Sequence, residues 1–155
     1  MENSRPSETE STPRPRILAI DHGARKIGLA VSDQLGVTAQ GLPTYYRGNK
    51  KADFDHLRRI IRQHGVTEIV MGLPLRMSGA EGTQAEKVQV FAEELRQKFK
   101  LPVHLFDERL TSVEANRVLR ETEMSIRRRS EVVDQLAAVL ILQSYLEFRK
   151  AASRE

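Results

Sequence analysis

The run Ile17-Leu18-Ala19-Ile20-Asp21-His22-Gly23-Ala24-Arg25-Lys26-Ile27-Gly28-Leu29-Ala30-Val31-Ser32 decides the fold class. Its first four residues are continuously apolar and stop abruptly at Asp21-His22-Gly23, as a strand buried on both faces does. After a short turn containing Gly23, Lys26–Ser32 reads as the hairpin partner. Val37–Tyr46 predicts a third strand, held to an edge or a bulge because Gly41 and Pro43 interrupt it.

Beyond this meander the period changes. Phe54, Leu57, Ile60 and Ile61 recur at helical spacing from Asp53, and His64-Gly65 supplies a stop, since glycine enters the left-handed region at little cost. Val66–Met71 reads as a buried strand. A loop from Gly72 to Gly82 follows, and Thr83 with Glu86 has the spacing of a capping box opening a helix with Val88, Phe91, Leu95 and Phe99 on its buried stripe. Val103–Asp107 predicts a fifth strand, and Thr111 with Glu114 repeats the capping-box spacing, so a helix is expected directly behind Glu108-Arg109-Leu110. A last helix is expected from near Ser130 to about Arg149, apolar all round at 136–142 and therefore packed on more than one side. The sum is an α/β domain, with a mixed five-stranded sheet flanked by helices.

The chain has 155 residues, enough for one domain and one core. Residues 1–15 carry almost no apolar side chains and are expected to form a disordered tail; residues 16–150 form the domain, and 151–155 a flexible C-terminus. The absence of cysteine removes disulfides, thiolate metal sites and cysteine nucleophiles, and fits a reducing, cytoplasmic setting. No apolar run approaches the ~20 residues of a membrane helix. Lys and Arg outnumber Asp and Glu by 25 to 21, for a net charge of +4, which favours polyanionic partners without demanding them.

Three acids stand where chemistry is expected. Asp21 ends a central strand, where ligands of open α/β sheets bind; a turn aspartate accepting amide hydrogen bonds is the bland alternative. Glu108 lies at the end of the fifth strand next to Asp107, and strand alternation points the two to opposite faces. Glu108 is the favoured inward group, Asp107 the other, and a helix-start acid is the alternative to both. Asp134 shares a helix stripe with Ala137, Ala138 and Ile141, so a carboxylate falls on an apolar face. Burying it unpaired costs several kcal/mol, so a metal, an arginine or amide donors should oppose it.

An all-oxygen set of this kind selects magnesium or manganese over zinc, and the four histidines contain no i, i+4 pair to argue otherwise. Two such ions about 3.5–4 Å apart could serve an in-line phosphoryl displacement. Arg25 and Lys26 after Asp21, Arg109 beside Glu108, and Arg127-Arg128-Arg129 before the last helix could grip nucleic-acid phosphates, although charge runs are often only solvated surface. The loop from Gly72 to Gly82 lacks the Gly-Lys-Ser/Thr ending of a P-loop.

Taken together, Ile20-Asp21-His22-Gly23 with Ile27–Asp33, Gly72-Leu73-Pro74 with Gly79 and Gly82, Asp107–Ser112, and Asp134-Gln135-Leu136-Ala137-Ala138 closely resemble the YqgF family of Holliday-junction resolvases, also described as pre-16S rRNA processing nucleases. The likeness covers about Arg16 to Tyr145. It implies a ribonuclease H-like fold and a metal-dependent nuclease, with Asp21, Glu108 and Asp134 at the family's acidic positions. It further implies a cytoplasmic enzyme acting on structured RNA, the 5' end of pre-16S rRNA first and branched DNA second, with ribosomal association open and the monomer or homodimer undecided. Ser130 and Glu131 stand where relatives often carry lysine.

Two rivals belong to other classes. Asp-x-Gly followed by a Gly-Leu-Ala hairpin is also similar to the first phosphate motif of the actin-like and sugar-kinase ATPases, which clamp nucleotide between two such domains; this chain has room for one. A non-catalytic nucleic-acid-binding module is the other. With aromatics at 5%, stacking platforms for single strands are poorly supplied, and recognition through backbone and shape is expected.

Overall fold

The computed structural model describes residues 15–75, 82–110 and 126–153, with 126–134 described by their backbone only. Five strands form one sheet: β1 (Arg16–His22), β2 (Lys26–Ser32), β3 (Ala39–Tyr46), β4 (Val66–Leu73) and β5 (Val103–Asp107). Their order is β3-β2-β1-β4-β5, so the expected meander β1-β2-β3 is antiparallel and β4 and β5 extend it parallel to β1. β1 is central, which is why Ile17–Ile20 are apolar and buried on both faces.

Helices α1 (Lys50–His64) and α2 (Thr83–Phe99) cover one face, and α3 (Ile126–Ser153) covers the other. On the first face Leu18, Ile20, Leu29, Val31, Ile69 and Met71 meet Phe54 and Leu57 of α1 and Val88, Phe91 and Leu95 of α2. On the second, Ile17, Ala19, Ala30, Val70 and Phe106 meet Ala138, Ile141, Leu142 and Tyr145. Strand alternation divides the two sets: Ile17 and Ala19 face α3, and Leu18 and Ile20 face α1 and α2. Small residues under α3 let it lie close; a side chain at Gly41 of β3 would press on Gln135 and Val139. Among the described residues, no helix is long and apolar enough to cross a membrane.

Several boundaries differ from the sequence expectation, each for a local reason. β3 begins at Ala39, because the Asp33 carboxylate accepts from the backbone N–H groups of Val37 and Thr38 and turns those residues into the hairpin tip. α1 begins before Asp53, capped by Asn49, whose side-chain oxygen accepts from the Ala52 amide at 2.7 Å; Gly65 ends it at φ 64° as expected. Thr83 is the first residue of α2, and its cap is Gly82, with no side-chain hydrogen bond, so the expected threonine cap is corrected. β4 runs two residues past Met71 to Leu73, because Gly72 and Leu73 still pair with Phe106 and Asp107 of β5. α3 starts at Ile126, four residues before Ser130, and continues to Ser153, three residues into the segment expected to be flexible. Arg127, Arg128 and Arg129 are thus in the first turn of α3 and do not precede it; arginine is a good helix former, and the run extends the helix. The expected helix from Thr111 and most of the 1–15 tail lie outside the described residues.

Candidate active site

Two of the three predicted acids meet at the carboxyl ends of β1, β4 and β5. Asp21 follows Ile17 and Ala19 in alternation and therefore stands on the α3 face. Its cross-strand partner on β2 is Gly28. On the β4 side the last paired rung is Ile20 with Met71, so the next residue beside Asp21 is Gly72. A glycine on each side leaves the carboxylate in a shallow trough of the sheet.

Glu108 reaches the same trough from the far side. It opens the 3-10 turn Glu108–Leu110 at the end of β5 and leans over Gly72: a Cβ built on Gly72 would sit 2.9 Å from Glu108 Cγ and 2.7 Å from the Ile141 Cδ1 of α3. Only a glycine at 72 lets these two side chains close over β4. Burial pushes the Glu108 carboxyl up to about 7, and the nearby negative charges of Asp21 and then Asp107 push it the same way. The Asp21 charge thus disfavours ionisation of Glu108, the kind of carboxylate pairing in a cleft that marks a candidate functional site.

Asp107 has a different occupation. Its two oxygens accept from Arg109 Nε at 3.1 and 3.0 Å, and one also accepts the Arg109 backbone N–H at 2.9 Å, which holds its pKa below the usual range. The alternation expected from sequence therefore puts Asp107 with Arg109 and Glu108 with Asp21. Arg109 is exposed and ion-paired to Asp107 at 2.7 Å, beside the trough. Arg25 is exposed in the β1–β2 turn, and Lys26 starts β2, its carbonyl accepting from the Gly23 amide at 3.1 Å. Position 134 lies on α3 one turn before Ala138 and two before Ile141, both of which face the sheet. Its side chain, and those of Arg127, Arg128 and Arg129, lie outside the described ones. Among the described residues no three acids or histidines cluster as a metal-ligand set; Asp21 and Glu108 are two carboxylates close enough for the charge of one to act on the other.

Behind the trough, on the opposite face, lies a polar group that the sequence reading missed. His22 packs its ring 4.6 Å from that of Phe91, and burial, then the Arg47 charge, lower its pKa to about 4, so it is neutral at physiological pH. Arg47, just past β3, touches His22, Gly23 and the buried Asp53. The available signal was Asp53 itself, an acid one turn before the buried Leu57.

The sheet order, with an antiparallel meander leading into parallel strands and two acids at their carboxyl ends, defines the ribonuclease H-like class. In keeping with this, the chain superposes on Thermus thermophilus RuvC solved "in complex with Holliday junction substrate", with a TM-score of 0.50 over 87% of this chain and 96% of that one; at 12% identity the likeness is one of fold. Residues 15–148 match the family described as RuvX, Holliday junction resolvase, and the chain belongs to that family. Named relatives agree. A Koribacter versatilis protein called "Putative pre-16S rRNA nuclease" is 61% identical over 140 residues, covering 90% of this chain and 91% of its own. One of the same name from Moorella thermoacetica is 53% identical over 132 residues, covering 85% and 94%. The chain is accordingly a nuclease of this family, a hydrolase of phosphodiester bonds.

Proposed function

We propose that this nuclease trims the 5' end of pre-16S rRNA by metal-dependent hydrolysis, with Asp21, Glu108 and Asp134 as the groups that hold magnesium or manganese. The observation carrying the reading is the Asp21–Glu108 pair across Gly72, where a glutamate is pushed to about 7 by burial and a neighbouring acid. The donor set fits a hard cation: carboxylate oxygens, with no thiolate in the chain. What such a cation supplies when bound is a water of lowered pKa and charge neutralisation at the scissile phosphate.

The chain's own residues do the rest. Glu108, at the end of β5, and Asp21, near the end of the central strand β1, would hold the cation in their ionised forms, and Asp134 of α3 would be the third ligand, so that three separate elements would supply the acids. Arg25 of the β1–β2 turn, Lys26 at the start of β2, Arg109 after β5, and Arg127, Arg128 and Arg129 of the first turn of α3 are the groups we assign to bind substrate phosphates and fix the backbone in line with the attacking water. In-line displacement by water leaves a 5'-phosphate and a 3'-hydroxyl, with no covalent enzyme intermediate.

The substrate choice rests on the names of the 61% and 53% identical relatives. Cleavage of a four-way DNA junction is the second reading, favoured by the family's description. The test is cleavage of end-labelled rRNA precursor and of a four-way junction, with manganese, magnesium or EDTA, beside Asp21→Asn, Glu108→Gln and Asp134→Asn. Metal-dependent cutting of the precursor, lost in all three variants, is expected. Preferential cutting of the junction moves the enzyme to the second reading. Binding without cutting, unchanged by the substitutions, identifies a non-catalytic module.

A further inference from the structure

Asp21 lies near the end of its strand, and strand ends fray. The register between β1 and β4 runs to Ile20 with Met71, and that between β1 and β2 runs on to His22 with Ile27. A group that fixes the backbone just after Asp21 therefore sets how firmly its carboxylate is aimed.

Arg47 is such a group. Its Nη1 donates to the Gly23 carbonyl at 2.9 Å and to His22 Nε2 at 3.2 Å, so one nitrogen ties down both residues that follow Asp21. Its Nε donates to Asp53 Oδ2 at 3.1 Å, and the guanidinium lies 5.7 Å from the centre of the Phe91 ring. Asp53 is 1% exposed and is anchored in turn, accepting from the Gly48 amide at 2.9 Å. Gln84 of α2 adds a hydrogen bond from its side-chain amide to the His22 carbonyl at 3.1 Å. A buried carboxylate on α1 thus fixes an arginine, which fixes the turn that ends β1. The planar fork is needed because the Asp53 oxygen and the Gly23 carbonyl are met by different nitrogens of one group.

We propose that Arg47, held by Asp53, is a positioning residue that sets the cation affinity of the acidic site by fixing the Asp21–Gly23 turn from the opposite face of the sheet. The inference rests on Asp21 being a metal ligand. It concerns Arg47, which touches neither substrate nor cation.

The experiment is calorimetric titration of manganese into the whole protein and into Asp21→Asn, Arg47→Lys and Arg47→Ala, each first checked for native circular dichroism. Outer partners of metal ligands commonly change affinity by about 10- to 100-fold. Arg47→Ala is therefore expected to bind manganese at least about ten-fold more weakly, with the maximal cleavage rate at saturating metal much less affected. Arg47→Lys should lose less, since an ammonium satisfies one end of the bridge. The cavity beside Arg47, about 450 Å³ and lined by His22 and Phe91, is large enough for methylguanidinium, which should restore affinity to Arg47→Ala and not to the wild type. If Arg47→Ala does not fold, Arg47→Lys carries the same test. A folded Arg47 variant with wild-type manganese affinity overturns the positioning role while Asp21→Asn still loses binding. Wild-type affinity in Asp21→Asn instead overturns the metal-site reading itself.

Discussion

Gly72 and Glu108 are the residues on which the site's geometry turns. Alanine at 72 would place its Cβ 2.7 Å from Ile141 Cδ1, the end of a side chain, and 2.9 Å from Glu108 Cγ, so the methyl of Ile141 must shift and the Glu108 side chain must swing away. Gly72→Ala should therefore cost only about 1–3 kcal/mol in stability, as overpacking does, and lower cleavage by at least ~10-fold because Glu108 is displaced; denaturant unfolding and single-turnover kinetics separate the two. Glu108 also predicts a pH signature. Its carboxyl titrates near 4.5 when unfolded and near 7 when folded, so the folded chain holds the proton more tightly, and its contribution to stability is full below 4.5 and lost as pH rises through 7. His22, lowered to about 4, contributes the opposite slope between 4 and 6.5. Comparing metal-free wild type with Glu108→Gln isolates the first: the downward slope from pH 4.5 to 7 should vanish in the variant. At this scale the sequence was legible in part. A carboxylate one turn before a buried apolar residue marked Asp134, yet Asp53 before Leu57 has the same spacing, and there the partner is Arg47. Spacing reveals that a buried acid needs a partner; only the fold says which one it has.

At the scale of elements, the strands were easier to find than the helix ends. A continuous apolar run fixes a buried strand because both faces demand it, so the central β1 contains the expected Ile17–Ile20 run, and β2 and the edge strand β5 also have their expected bounds. Helix starts are set by side-chain oxygens competing for a few free amides, and several residues near 49–53 and 82–83 could have served. The outcome has a measurable consequence. Asn49→Ala removes the acceptor of the Ala52 amide and should destabilise the protein by about 1 kcal/mol in urea unfolding, with cleavage unchanged. Thr83→Ala removes no cap and should fall within about 0.5 kcal/mol of wild type.

Over the whole molecule, a net charge of +4 is set against acids gathered at one end of the sheet. Binding of RNA should weaken steeply with salt, by roughly 0.7–0.9 of a log unit per log unit of salt for each phosphate contact. Asp21→Asn should leave that slope unchanged in a filter-binding series from low to physiological salt, since it removes no cation. Arg25→Ala should lower the slope by about one contact.

The brace formed by α3 touches every strand. Gln135 and Val139 meet Gly41 of β3; Ala138, Ile141 and Leu142 share a core with Ala30 and Ala19 of β2 and β1; Ile141 abuts Gly72 of β4, and Tyr145 stacks against His104 of β5. During synthesis the sheet can assemble from the emerging chain, at about 5–20 residues per second, before this helix has left the ribosome. Position 134 of this helix is made more than a hundred residues after Asp21. On the proposed assignment of Asp134 to the acidic site, a growing chain would carry two acids of the site and no finished catalyst, and hydrolytic capacity would appear in one step, with completion of the last helix.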